Sequence, residues 1–194
     1  MKKLVLYAFD NVELLDFCGP YEVFSLAARL SDEPPWEVVT VGPSKTITSF
    51  NGLVIGVDAL LEDAPKADLF LVPGGRGVRH ILTDETQMAW LEEQGRNAEI
   101  LMSVCTGSWL LAKAGLVDNM KLTTHHDGLE RLRELAPTSE VVAEQRFVDN
   151  GRVVVSAGIS SGIDMALYMI GRLCSLGLAK KVADHMEYVL HIEV

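Results

Sequence analysis

Cys105 ends an apolar run in the segment LMSVCTGSWLLAKAGL, Leu101 to Leu116; Thr106, Gly107 and apolar residues at helical spacing follow it. The pattern predicts a thiol on a tight turn between a buried strand and a helix, the geometry that exposes a nucleophile at a sheet edge. A helix N-terminus offers free N–H groups and the positive end of the peptide dipole. Both favour thiolate over thiol, and the thiolate is the nucleophile. The backbone N–H of Thr106 would face an anion developing on a substrate, while Gly107 leaves room for close approach. The turn Pro73-Gly74-Gly75 would supply a second backbone donor to such an oxyanion. The same residues also fit a buried core cysteine with a helix cap at Thr106, since free cysteines are among the most buried residues. Cys18 and Cys174 are distant from Cys105 and form no C-x-x-C pair with it, so neither a disulfide framework nor a zinc site is expected.

Other residues of chemical interest divide between function and structure. Asp16 is either an acid–base group or a local turn former. Glu22, placed in the first turn of a helix, complements the helix dipole. His125 and His126 resemble a metal pair or a proteolytic base, but adjacent residues on a helix do not share a face and make a poor chelate. Ser161 and Asp164 fit an S-x-x-D helix cap better than a serine nucleophile. Met165, Leu167, Met169 and Ile170 read as core or dimer contacts. No G-x-G-x-x-G or Walker loop occurs, and Gly74-Gly75-Arg76-Gly77 alone is too weak for a phosphate site.

The elements that must hold these residues follow from periodicity. Lys3–Phe9, Asp68–Val72 and Glu99–Val104 are continuous apolar runs, as fully buried parallel strands are. A further strand is predicted at Trp36–Val41 and a short one at Leu122–Thr124. Asn51-Gly52 and Asn150-Gly151 signal two hairpins. A loop carrying Asp16 is expected to lead into a helix opened by Gly19-Pro20 and running to about Leu30. Helices are also expected at Glu85–Asn97, Gly107–Ala114, His126–Leu135, Ser161–Cys174 and Leu178–Leu190. Strands alternating with helices imply a parallel sheet covered on both faces, with ligands bound beyond the carboxyl ends of the strands. Glu13–Gly19, Pro73–Gly77 and Val104–Gly107 all fall at such ends.

The 194 residues suit one domain, residues 1–194, and 48% hydrophobic content supports a sizeable core. A net charge of −10 argues against a nucleic-acid or anionic-membrane surface. No apolar run approaches the roughly 20 residues that span a bilayer. MKKLVLYAFDNVELLDF begins like a signal peptide, but Asp10 and Glu13 interrupt it, so it reads as a first strand and the cytoplasm is the expected location.

SVCTGSWLLAKAGL, LLDFCGPYEVF, LFLVPGG, LTTHH and SAGISSGIDMALYMI occur in order across nearly the whole chain. Together they resemble the DJ-1/PfpI superfamily, whose fold is a flavodoxin-like, class I glutamine-amidotransferase-like α/β sandwich with a mainly parallel central sheet. Cys105 followed by threonine rather than histidine, with Asp16 before G-P-x-E, resembles the isonitrile (isocyanide) hydratase branch. The same pattern resembles amidase-like sensor domains fused to AraC-type DNA-binding domains; the chain ends at Val194 without such an appendage, so a fused regulator is not expected. The resemblance implies Cys105 as nucleophile, Asp16 as proton shuttle, Thr106 as its neighbouring donor and Gly75 as a further backbone donor. It implies a small-molecule substrate, a homodimer, and hydration chemistry requiring no metal or other cofactor. His125, in the family Thr-Thr-His segment, lines the pocket or braces a hydrogen bond. Cys18 stands where the family pattern calls for a threonine or an aliphatic residue, and its thiol would reach the pocket. A glyoxalase or deglycase, or a non-catalytic small-molecule or redox sensor, are the alternatives.

Overall fold

KKLVLY, LFLV and ILMSV carry apolar side chains on both faces, so they gain most as central strands covered by helices on either side. The computed structural model, which describes residues 1–189, bears this out. In chain order the elements are β1 (Lys2–Tyr7), α1 (Leu14–Leu30), β2 (Trp36–Gly42), β3 (Thr46–Thr48), β4 (Val54–Gly56), β5 (Ala59–Leu60), β6 (Leu69–Val72), α2 (Val78–Ile81) and α3 (Glu85–Asn97). They continue as β7 (Ile100–Val104), α4 (Gly107–Lys113), β8 (Lys121–Leu122), α5 (Leu129–Leu135), β9 (Glu140–Val141), β10 (Phe147–Asp149), β11 (Val153–Ser156), α6 (Ser161–Leu173) and α7 (Leu176–His185).

Seven strands form the central sheet in the order β10-β11-β7-β6-β1-β2-β5. Every neighbouring pair is parallel except β10 with β11, the second of the two expected hairpins. The first hairpin, β3 with β4, lies outside this sheet. From β1 the chain crosses through α1 to β2, whereas from β6 it crosses the other way to β7. Right-handed crossovers in opposite directions put their helices on opposite faces. Accordingly α1, α6 and α7 pack together as one layer, and α2, α3, α4 and α5 as the other. The strand order reverses between β1 and β6, and a crevice opens there at the carboxyl ends. The core is apolar and continuous, and Met165, Leu167, Met169 and Ile170 belong to it. Among the described residues no helix is long and apolar enough to cross a membrane.

Several boundaries differ from expectation. Helix α1 begins at Leu14, so Asp16 lies in its first turn rather than on a loop, and Glu22 lies well inside the helix. Gly19-Pro20 does not open it. Pro20 cannot donate to the Asp16 carbonyl, which leaves one helical hydrogen bond unmade, but the helix continues because its apolar face is buried through Phe17, Val23, Phe24 and Ala27. The S-x-x-D cap does not form. Ser160 is the N-cap residue, and Asp164 instead pairs with Arg146 and accepts the Tyr188 hydroxyl at 2.9 Å. Helix α7 starts at Leu176, capped by Ser175, whose hydroxyl accepts from Leu178 N–H at 3.1 Å. The expected end of this helix at Leu190 lies outside the described residues.

Candidate active site

The turn from β7 to α4 is the elbow that the sequence pattern requires. Cys105 has φ +55°, a left-handed conformation that a side chain with a Cβ adopts only at a cost. The surroundings over-determine it. The Cys105 N–H donates to the carbonyls of Ser156 and Ala157 at 3.1 and 3.2 Å. Its carbonyl accepts the hydroxyls of Thr124 and Ser108 at 2.7 and 3.0 Å. Gly107 is obligatory, because a Cβ there would lie 2.2 Å from the Val72 carbonyl.

Asp16 reaches the elbow from α1, beneath the sulfur, and is wholly buried. Its Oδ2 accepts the Gly74 N–H at 3.1 Å. Oδ1 has no hydrogen bond of standard geometry among the described residues; the polar side chain that acts on this carboxyl is the Cys105 thiol. Burial pushes the Asp16 carboxyl up from its ordinary 3.8 to about 7. Glu13 adds to this rise, while the Cys105 and Gly74 hydrogen bonds oppose it. Gly74 has no room for a side chain, since a Cβ would lie 2.6 Å from Thr106 N and 2.8 Å from Asp16 Oδ2.

The thiol corrects the expectation of a simply depressed pKa. Burial pushes Cys105 up, and the charge of Asp16 pushes it further; the Thr106 N–H and hydroxyl pull it down. The physical unit is therefore a buried Cys–Asp pair whose carboxyl ionises before its thiol and can then accept the thiol proton. Thiolate forms most readily when Asp16 holds that proton.

Gly75 lines the cavity, but its N–H does not stand free as an oxyanion donor. It donates to Thr106 Oγ1 at 3.0 Å. With φ +134° and no room for a Cβ against the Asn11–Glu13 backbone, Gly75 locks the two loops together. Cys18 is a second correction. It lies two positions beyond Asp16 on the same helix, so its side chain turns to another face, where it packs half-buried against the core and away from the cavity lining.

His125 does line the cavity, together with Phe50, Arg76, Arg79, Trp109, Asp127 and Ile159. The volume is about 220 Å³ and the floor is Cys105 and Thr106. Sequence reasoning assigned no site role to the arginines, Trp109 or Phe50. The signal available for the arginines was their place on the segment after β6, at a carboxyl edge. The argument against a histidine pair also fails, because His125 is extended (φ −55°, ψ 140°) and precedes the short helical turn His126–Gly128. The two rings lie 4.1 Å apart, and donor atoms of His125, His126 and Asp127 all fall within 4.8 Å of one another, a spacing a metal ion would tolerate. His125 Nδ1 accepts the Asp127 N–H at 3.2 Å, which places the ring proton on Nε2.

A doubly wound parallel sheet with a cysteine elbow over a buried carboxyl defines the class of protein. The profile of the DJ-1/PfpI family matches residues 2–172, and the chain belongs to that family. It is 32% identical to isonitrile hydratase of Pseudomonas putida over 93% of this chain and 75% of that protein. It is also 30% identical to the HTH-type transcriptional regulator GbdR of Pseudomonas aeruginosa over 92% of this chain, and spans about half (48%) of that regulator's length. Among solved structures, a ThiJ/PfpI family protein from Pseudomonas syringae superposes with a TM-score of 0.87 at 24% identity, covering 100% of this chain and 76% of that one. Drosophila melanogaster DJ-1beta superposes with a TM-score of 0.83 at 19% identity, covering 97% and 98% of the two chains.

Proposed function

We propose that this protein is an enzyme that hydrates isocyanides to N-substituted formamides. The observation that carries the reading is the Asp16 carboxyl, buried under Cys105 with its pKa raised to about 7. Such a group holds or releases a proton near neutral pH, as a general acid–base should. Similarity to isonitrile hydratase selects the electrophile.

In this reaction the thiol proton passes to Asp16. The thiolate of Cys105 bonds to the isocyanide carbon while Asp16 returns the proton to that carbon, giving a thioimidate, R–N=CH–S. Asp16, now ionised, takes a proton from water as the oxygen adds to the same carbon, and delivers it to nitrogen. Collapse of the R–NH–CH(OH)–S adduct expels the thiolate, forms the formamide carbonyl and returns a proton to Asp16. The net change is addition of one water. Thr106 steadies the sulfur with its N–H, and the cavity limits bulk water.

The test is conversion of an organic isocyanide to its formamide, followed by chromatography with EDTA present. Cys105→Ala should abolish it and Cys174→Ser, on an exposed thiol, should not. Methylglyoxal consumption without isocyanide turnover would transfer the reading to a glyoxalase. A second reading, a small-molecule sensor, draws on the 30% identity to a transcriptional regulator across 92% of this chain. Saturable ligand binding with no turnover would favour it. The hydratase reading also includes a cytoplasmic homodimer, and sedimentation at the mass of a single chain would remove the dimer.

A further inference from the structure

We infer that the substrate is an anion whose carboxylate is taken by Arg76 and Arg79 at the mouth of the cavity. The inference rests on the hydratase reading only for the identity of the reacting end.

The chain carries a net charge of −10, yet one wall of this cavity presents two guanidinium groups. Among the described residues no carboxylate oxygen lies within 4.0 Å of either. Most other arginines are committed. Arg96, Arg131, Arg133, Arg146 and Arg172 pair with carboxylates, and Arg152 donates to carbonyls at the end of α3. Among the described residues Arg29 also has no carboxylate partner, but it lies in the last turn of α1, away from the cavity lining.

Both cavity arginines are held in place. The Arg76 Cζ lies 4.2 Å from the centre of the Phe50 ring, and the Arg79 Cζ 5.4 Å from that of Trp109. Trp109 is buried and fixed by its own Nε1–H, which donates to the Gly128 carbonyl at 3.1 Å. Arg79 N–H also donates to the Arg76 carbonyl at 3.3 Å, so a single turn sets the spacing of the two residues. Stacking on a ring occupies the face of a guanidinium and leaves its N–H edge free, the edge that takes a carboxylate bidentately.

The other charges in the cavity are distributed to match. Asp127 is turned towards the two histidines, 3.7 Å from His125 Nδ1 and 3.2 Å from His126 Nε2, rather than towards the arginines. Glu13 adds its field to Asp16 at the reacting end. A ligand with a neutral isocyanide at Cys105 and a carboxylate at Arg76 and Arg79 fits this polarity. The reverse orientation would bring its anion against Asp16 and Glu13.

The probes are N-formylglycinate and its methyl ester, which have the functional groups of the hydration products but differ in charge. Their binding is measured by titration calorimetry, and kcat/KM is measured in parallel for isocyanoacetate and its methyl ester. The anion should bind about tenfold more tightly than the ester, a ratio equivalent to about 1.4 kcal/mol. That preference should shrink as salt is raised. The double variant Arg76→Gln/Arg79→Gln should bring the anion-to-ester ratio towards one. Equal binding of anion and ester by the wild type, or a preference that survives in the double variant, would overturn the anion subsite. Anion preference without isocyanide turnover would uphold the subsite and remove the hydratase reading. Turnover of both isocyanides with no preference would do the opposite.

Discussion

Replacing Asp16 by Asn should stabilise the protein at pH 8 while removing its activity. Asn keeps the shape of the side chain, and its amide oxygen still accepts the Gly74 N–H, but it cannot ionise. In the wild type the carboxyl must ionise within a wholly buried site, which raises its pKa from 3.8 to about 7. The folded state therefore holds a proton more tightly than the unfolded chain. Stability from this group is complete below pH 3.8 and is lost as pH rises through about 7. At 1.36 kcal/mol per unit, a rise of this size costs about 4 kcal/mol above pH 7. For a chain of this length that is on the order of 10 °C in Tm. Thermal unfolding of both proteins from pH 4 to pH 8 should show the variant more stable at pH 8 and the gap closing towards pH 4. A variant no more stable than the wild type at pH 8, or a gap independent of pH, would refute the buried-carboxylate reasoning.

Three further outcomes are expected. Under the hydratase mechanism, kcat/KM for an isocyanide should rise as pH rises through about 7, where Asp16 becomes the carboxylate that can take the thiol proton; Asp16→Asn should cost about 10²–10⁴-fold and abolish that limb of the profile. Alkylation of Cys105 near neutral pH, located by mass spectrometry, should be faster in Asp16→Asn than in the wild type, because the carboxylate charge that holds the thiol up is gone. Gly75→Ala should destabilise the fold by about 2–4 kcal/mol in denaturant unfolding, since a Cβ at φ +134° would lie 2.4 Å from Glu13 N.

The sequence alone determined the parts of the molecule governed by local pattern. Apolar runs without alternation become β1, β6 and β7 because only a doubly covered parallel sheet buries both faces. Asn-Gly pairs marked both hairpins. The strand–Cys–Thr–Gly–helix order was enough to place Cys105 on the elbow, because Gly107 alone fits beneath it. What only the tertiary structure decided depends on groups far apart in sequence. Asp16 meets Gly74 across 58 positions, and Gly75 gives its N–H to Thr106 across 31. No local signal specifies that Gly-Pro will lie inside α1 and carry Asp16 under the sulfur, because packing of the helix face outweighs the bond lost at Pro20. Desolvation by that packing, rather than the helix terminus after Cys105, sets the protonation of the Cys–Asp pair. Likewise Arg76 and Arg79 become a wall of the cavity only once Phe50 and Trp109, from two other segments, are brought beside them.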